Sequence, residues 1–220
     1  MSLILGHMFH SCKLRQFIFL IAAIVLTAAC SSKTKEAALP AGSQVLALGD
    51  SLTEGLGVTR EQAWPNLLAL KTGWLVENGG ASGNTSEDAL RRLPNLLEQD
   101  NPVLVLVTLG GNDMLRHIPQ QQTIANLEQI LALIKAHGAK AVLLATPNPN
   151  LMAAVFQHLS APDFYRKLAD EQHVPLIEDA IAEVLSDPQL KGDPLHPNVA
   201  GQALLSEKIF KELKSIGYSG

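Results

Sequence analysis

The residues whose types can do chemistry together are Ser51 in "GDSLT", Gly83 in "SGNTS", Asn112 in "GGND", and Asp193 and His196 in "DPLHPN". A serine hydroxyl is a weak nucleophile until a neighbouring base takes its proton. Histidine, with an ordinary pKa of about 6.5, suits that work near neutrality. Asp193 stands three residues before His196, close enough for a carboxylate to hold the imidazole Nδ1 proton, fix the tautomer and stabilise the imidazolium that forms. A carbonyl under attack becomes an oxyanion and needs donors. The backbone N–H groups of Ser51 and Gly83 and the side-chain amide of Asn112 supply three, and loss of one such donor raises a barrier by on the order of 3 kcal/mol. Glycine at 83 also lets the backbone come close to a substrate and take a positive φ. The set is complete for acyl transfer.

Each piece alone has an ordinary structural reading. Gly-Asp-Ser caps a helix, Gly-Gly-Asn-Asp makes a loop, "SGNTS" a flexible turn, and His-Pro-Asn opens a helix. Their weight comes from the elements that must position them. "QVLALG" (44–49), "WLVEN" (74–78), "VLVLVTLG" (103–110), "AVLLATP" (141–147) and "VPLIE" (174–178) read as five strands. Their continuous hydrophobicity points to burial on both faces, as in a parallel sheet. Helical segments lie between them. In "TIANLEQILALIKAHG", Ile124, Leu127, Ile130, Leu131 and Ile134 repeat at three and four, and Gly138 supplies the stop. Residues 86–99 form a less regular helix that Pro94 is expected to bend or divide. A last helix follows Pro197, with Asn198 as its cap and Leu205, Ile209 and Leu213 on one face. Such alternation implies an α/β fold, a three-layer α/β/α sandwich around a five-stranded parallel sheet. In that architecture the loops leaving the carboxyl ends of the strands meet along one rim, so Ser51 and His196 are expected to converge there although distant in sequence.

These blocks, in this order, are those for which the SGNH or GDSL hydrolase family is named. The sequence resembles that family from Gln44 to about Leu213, and within it the bacterial periplasmic thioesterase/lysophospholipase and arylesterase-like branch. The resemblance implies a flavodoxin-like SGNH hydrolase fold, Ser51 as nucleophile, Gly83 and Asn112 as oxyanion-hole residues with the Ser51 N–H, and His196 as base oriented by Asp193. Asn84 departs from the pattern, since relatives more often carry an acidic residue there. The esterase elbow Gly-x-Ser-x-Gly is absent at Ser51, because Thr53 occupies its second glycine position, and this argues against an α/β-hydrolase fold. Asp113 is expected to hydrogen-bond within the Asn112 turn, and Trp64 and Pro65 to open a helix and enter the core.

Composition excludes other classes. The net charge is −4 and residues 1–29 hold Lys13 and Arg15 but no acid, so the remainder is the more acidic part and carries no basic stripe for nucleic acid. Lys13 and Arg15 precede the apolar run "FIFLIAAIVLTAA", which is shorter than the roughly 20 residues a membrane-spanning helix needs. "LTAAC" ends it and resembles a bacterial lipoprotein signal whose cysteine, Cys30, is lipidated; an ordinary signal peptide cut nearby is the other reading. The domains expected are therefore a signal peptide at 1–29, a flexible tether at 30–43 and a hydrolase domain at 44–216, with export to the bacterial envelope and a lipid anchor in the membrane. By the same resemblance Ser31 implies an outer-membrane destination. Residues 1–7 read as superfluous to the signal. The only cysteines are Cys12 and Cys30, which leaves the body of the chain without a thiol for disulfides, nucleophilic attack or zinc. His117, His137, His158 and His173 share no ligand spacing, so neither a metal nor a cofactor is expected.

The loop "TPNPNLMAAVFQHLSAP" (146–162) leaves the fourth strand on the same rim. Its Met152 and Phe156 are candidates for lining an acyl or aryl groove, and the alternative is a small helix packed on the core. The reading that results is a serine esterase for acyl esters, thioesters or lysophospholipids. An O-acetylesterase of cell-wall or surface polysaccharide, and a non-catalytic binding lipoprotein that keeps the fold, are the rivals; the intact Ser51, Asn112, Asp193 and His196 count against the second.

Overall fold

A strand without a polar side chain needs cover on both faces, and Val45–Leu48 and Leu104–Val107 are of that kind. The computed structural model describes residues 36–149 and 159–219. Along it run β1 (Gln44–Gly49), α1 (Ser51–Glu54), α2 (Trp64–Thr72), β2 (Leu75–Gly80), α3 (Ser86–Asp100), β3 (Leu104–Thr108), α4 (Gly111–Leu115), α5 (Gln120–His137), β4 (Lys140–Leu144), α6 (Phe164–Gln172), β5 (Leu176–Ile177), α7 (Ala180–Ser186) and α8 (Val199–Ile216). The strands pair in parallel in the order β2-β1-β3-β4-β5. Alternation along β1 divides the core: Leu46 and Leu48 pack with Leu93 of α3, Ile130 of α5 and Leu168 of α6. Val45 and Ala47 pack with Leu68 of α2, Ile181 of α7 and Leu205, Ile209 and Leu213 of α8. The result is the three-layer α/β/α sandwich expected. Reversal of strand order between β1 and β3 creates the switch point at which such sheets open a crevice.

Helix boundaries follow their caps. Thr85 and Asp88 form a capping box at the start of α3, with Thr85 N–H donating to Asp88 Oδ2 at 3.0 Å. Gly138 closes α5 at φ 91°, and the Asn198 side chain accepts from Gly201 N–H at 3.0 Å to open α8. Trp64 and Pro65 do open α2 and are buried.

Several expectations need correction. Pro94 does not divide its helix: α3 is continuous from Ser86 to Asp100. Proline inside a helix costs on the order of 3 kcal/mol, but the capping box holds one end, and the burial of Ala89, Leu93 and Leu97 against the sheet anchors both sides of the proline. β2 starts at Leu75 rather than Trp74 and runs on through Gly79 and Gly80. It is an edge strand and only partly buried, unlike β1, β3 and β4. The compact domain begins at Glu36, so residues 36–43 are not a flexible tether. Glu36 N–H donates to Ile216 O at 3.0 Å, Leu39 N–H to Tyr218 O at 2.8 Å, and Trp74 Nε1 to Leu39 O at 3.3 Å. Leu39 packs against the α8 core and gives this polar-looking segment an apolar foothold. The proposed signal peptide and Cys30 lie outside the described residues.

Candidate active site

β1 ends at Gly49, and the next residue, Asp50, turns the chain by capping α1: Leu52 N–H donates to Asp50 Oδ1 at 3.0 Å. The turn and the start of α1 put Ser51 on the rim. Its Oγ lies 2.9 Å from His196 Nε2. His196 comes from the loop before α8, where the Asp193 carboxylate accepts the N–H groups of Leu195 at 2.8 Å and His196 at 2.9 Å. The same carboxylate meets the imidazole, with Oδ1 and Oδ2 at 2.9 and 2.8 Å from Nδ1. Burial pushes the Asp193 carboxyl up, but the Leu195 N–H and the bonds and charge of His196 outweigh it and hold it below the ordinary range. With Nδ1–H turned to an ionised Asp193, Nε2 is free to accept the Ser51 proton.

Gly83 arrives from the loop after β2, and Asn112 from the first turn of α4, which follows β3. Gly83 sits at φ 76°, a conformation costing a side-chain-bearing residue about 1–2 kcal/mol. Its carbonyl accepts from Arg116 Nη2 at 2.7 Å, and Ser82, just before it, is held by Glu54 of α1, which accepts the Ser82 N–H at 2.7 Å and the Ser82 hydroxyl. This tie needs β2 and α1 in close contact. Gly80 permits it, since a Cβ there would stand 2.1 Å from Glu54 N. Among the described residues the backbone N–H groups of Ser51 and Gly83 donate to no protein acceptor. Asn112 is different: both hydrogens of its amide are engaged, by Asn84 O at 3.0 Å and by Asp50 Oδ2 at 3.2 Å.

Asp113 does not serve its own turn. Fully buried, it reaches across to α3 and α5, accepting Ser86 N–H at 2.8 Å, Ser86 Oγ at 2.5 Å and Thr123 Oγ1 at 3.2 Å. It thereby fixes α4, with Asn112, against the helix that follows Gly83.

Ser51, Gly83, Asn112 and His196 line one cavity of about 210 Å³, whose other walls include Leu56, Leu115, Pro147, Leu159, Leu185 and Leu195. Leu56 and Leu115 are large apolar residues left 46% and 43% exposed, so the mouth itself is apolar. Met152 and Phe156, the sequence candidates for such a groove, lie outside the described residues.

The model of the GDSL-like lipase/acylhydrolase family matches residues 47–204. The chain belongs to this family. It is a GDSL-type hydrolase, and among its relatives is an arylesterase of Vibrio mimicus, 37% identical over 183 residues that cover 80% of this chain and 91% of the other. Thioesterase 1/protease 1/lysophospholipase L1 of Escherichia coli is 40% identical over 182 residues, 80% of this chain and 86% of the other. The crystal structure of the psychrotrophic esterase EstA from Pseudoalteromonas, inhibited by monoethylphosphonate, superposes with a TM-score of 0.67 at 29% identity, covering 78% of this chain and 96% of that one.

Two residues of this GDSL hydrolase site escape a motif reading. Asp50 reads in sequence as a helix cap. In the fold it is 2% exposed, and burial pushes its carboxyl from 3.8 up to about 6, against the pull of the Leu52 N–H and of nearby His196. Arg92 of α3 carries no sequence signal at all. Its Nε donates to Asn84 Oδ1 at 2.8 Å and its Nη2 to Gly49 O at 2.7 Å.

Proposed function

We propose that the protein is a serine esterase that hydrolyses carboxylic acyl esters through an acyl-enzyme. The observation that carries this reading is the chain of contacts Ser51 Oγ–His196 Nε2 at 2.9 Å and His196 Nδ1–Asp193 Oδ2 at 2.8 Å, beside backbone N–H groups without acceptors among the described residues. Ser51 Oγ attacks the acyl carbon as His196 Nε2 takes its proton. The carbonyl oxygen becomes an oxyanion held by the N–H groups of Ser51 and Gly83 and the Asn112 amide. Collapse of the intermediate expels the alcohol or thiol, which leaves with the proton from His196. Water, activated by the same imidazole, then attacks the acyl-serine, and the proton returns to Ser51 Oγ as the carboxylic acid departs.

The apolar mouth at Leu56 and Leu115 supports acyl or aryl groups as the part of the substrate that is bound. Aryl esters, acyl thioesters and lysophospholipids are the classes favoured, in agreement with the names of the arylesterase and thioesterase/lysophospholipase relatives. The phosphonate-inhibited EstA supports an activated serine. Export and lipidation at Cys30, after a signal peptide at 1–29, complete the proposal, and loss of fatty-acid labelling in Cys30→Ala tests that part.

Labelling with a fluorophosphonate, followed by a p-nitrophenyl ester series of increasing acyl length, tests the chemistry. The label is expected on Ser51, and labelling at another residue contradicts the assignment. Leu115→Asp is expected to raise KM for an octanoyl ester about tenfold, the equivalent of roughly two buried methylenes, and KM for the acetate less than about twofold. Equal effects on both esters remove the apolar groove from the reading.

A further inference from the structure

We infer that Arg92 is a positioning residue of the site, a clamp that sets the spacing between the nucleophile loop and the oxyanion loop; the inference rests on the esterase reading of Ser51. Arg92 stands in the second turn of α3, half-buried, and is not among the residues that line the cavity. Its fork nevertheless bridges the end of β1 and the loop after β2. Nη2 donates to the carbonyl of Gly49, two residues before Ser51, and Nε to the side chain of Asn84, the residue after Gly83. The backbone carbonyl of Asn84 in turn accepts the Asn112 amide. All three oxyanion donors therefore lie within two residues or one hydrogen bond of the groups that Arg92 holds.

The adjacent Arg91 shows what an ordinary arginine on this helix does. It is exposed and pairs with Glu87 and Asp88 on its own helix. Arg92 makes no ion pair with a carboxylate among the described residues. Its partners are neutral oxygens on separate segments, the end of β1 and the loop after β2, an arrangement that makes use of the rigid two-pronged geometry of guanidinium and that a single ammonium cannot reproduce. Desolvation of the charge weighs against it, and burial lowers the Arg92 pKa.

Displacing a reacting group by about 1 Å costs on the order of 100-fold in rate. Arg92→Met keeps the stem and removes the fork. Its kcat, measured per active site titrated with fluorophosphonate, is expected to fall about 30-fold with KM for a short ester within about threefold. Arg92→Lys, which keeps charge and volume and serves where the methionine variant fails to fold, is expected to lose about tenfold. Asn84→Ala cuts one arm of the bridge and is expected to lose about tenfold as well. Because both changes break one bridge, the double variant Arg92→Met/Asn84→Ala is expected to be no slower than Arg92→Met. A kcat per titrated site within about threefold of wild type in both Arg92 variants, or losses that multiply in the double variant, overturns the clamp. A change confined to thermal stability does so too. Labelling and turnover of the wild type test the esterase reading separately.

Discussion

Ser51→Ala is expected to abolish fluorophosphonate labelling and to reduce ester turnover by a factor of about 10⁴ or more, the scale seen when the nucleophile of a serine–histidine pair is removed. The fold is expected to survive. Ser51 Oγ has His196 Nε2 as its hydrogen-bond partner, and a part-buried bond of this kind contributes about 1 kcal/mol. For a domain of this size that moves Tm by about 2–4 °C. Circular dichroism melts alongside turnover separate the two effects. Residual activity near the wild-type level in a folded Ser51→Ala sample contradicts the mechanism, and unfolding of the variant contradicts the claim that the hydroxyl serves chemistry more than stability.

Asp50→Asn is expected to move activity and stability in opposite directions. The Asp50 carboxyl titrates at about 6 in the fold against 3.8 ordinarily. Between those values the folded chain keeps a proton that the unfolded chain has released, so stability falls as pH rises through that window. Above it the ionised carboxylate costs on the order of 3 kcal/mol. Asparagine removes that cost, and part of the gain is offset by its NH₂ group, which faces the Asn112 amide where Asp50 Oδ2 now accepts. A Tm gain of about 5 °C is expected at about pH 8, shrinking as pH falls and vanishing below about pH 4. Activity is expected to fall at least about 100-fold, as for loss of an oxyanion donor, because two facing NH₂ groups turn the Asn112 amide away from its donating position. A Tm gain that does not vary with pH, or unchanged turnover, refutes this account of Asp50.

Much of the architecture can be read from residue pattern alone. β1, β3 and β4 announce themselves because each is an unbroken apolar run, and α5 because its apolar spacing ends at a glycine. β2 is misplaced by the same reasoning: Gly79 and Gly80 look like the start of a loop, and only the approach of Leu46 to the first and of Glu54 to the second shows why glycine belongs in a strand there. Pro94 misleads because propensity counts a lost hydrogen bond but not the packing of Leu93 and Leu97 on either side of it. The polar segment 36–43 looks like a linker because its attachments are bonds of its backbone to residues far along the chain, Ile216 and Tyr218 among them, invisible to composition. At the site, Ser51, Asp193 and His196 are legible because chemistry restricts their types and the rim brings them together. Asp113, Glu54 and Arg92 are not, since their roles depend on distances between elements, and an acid or arginine on a helix has many ordinary uses.

The last helix has a geometric consequence. α8 begins at Val199, three residues after His196, and ends at Ile216, whose carbonyl accepts the N–H of Glu36. Its 18 residues at about 1.5 Å each make a strut of about 27 Å between the loop that carries His196 and the point where the chain enters the domain. Immobilisation on a bead or electrode through a group placed ahead of Glu36 would thus hold the molecule by its back and leave the crevice turned to the bulk solution.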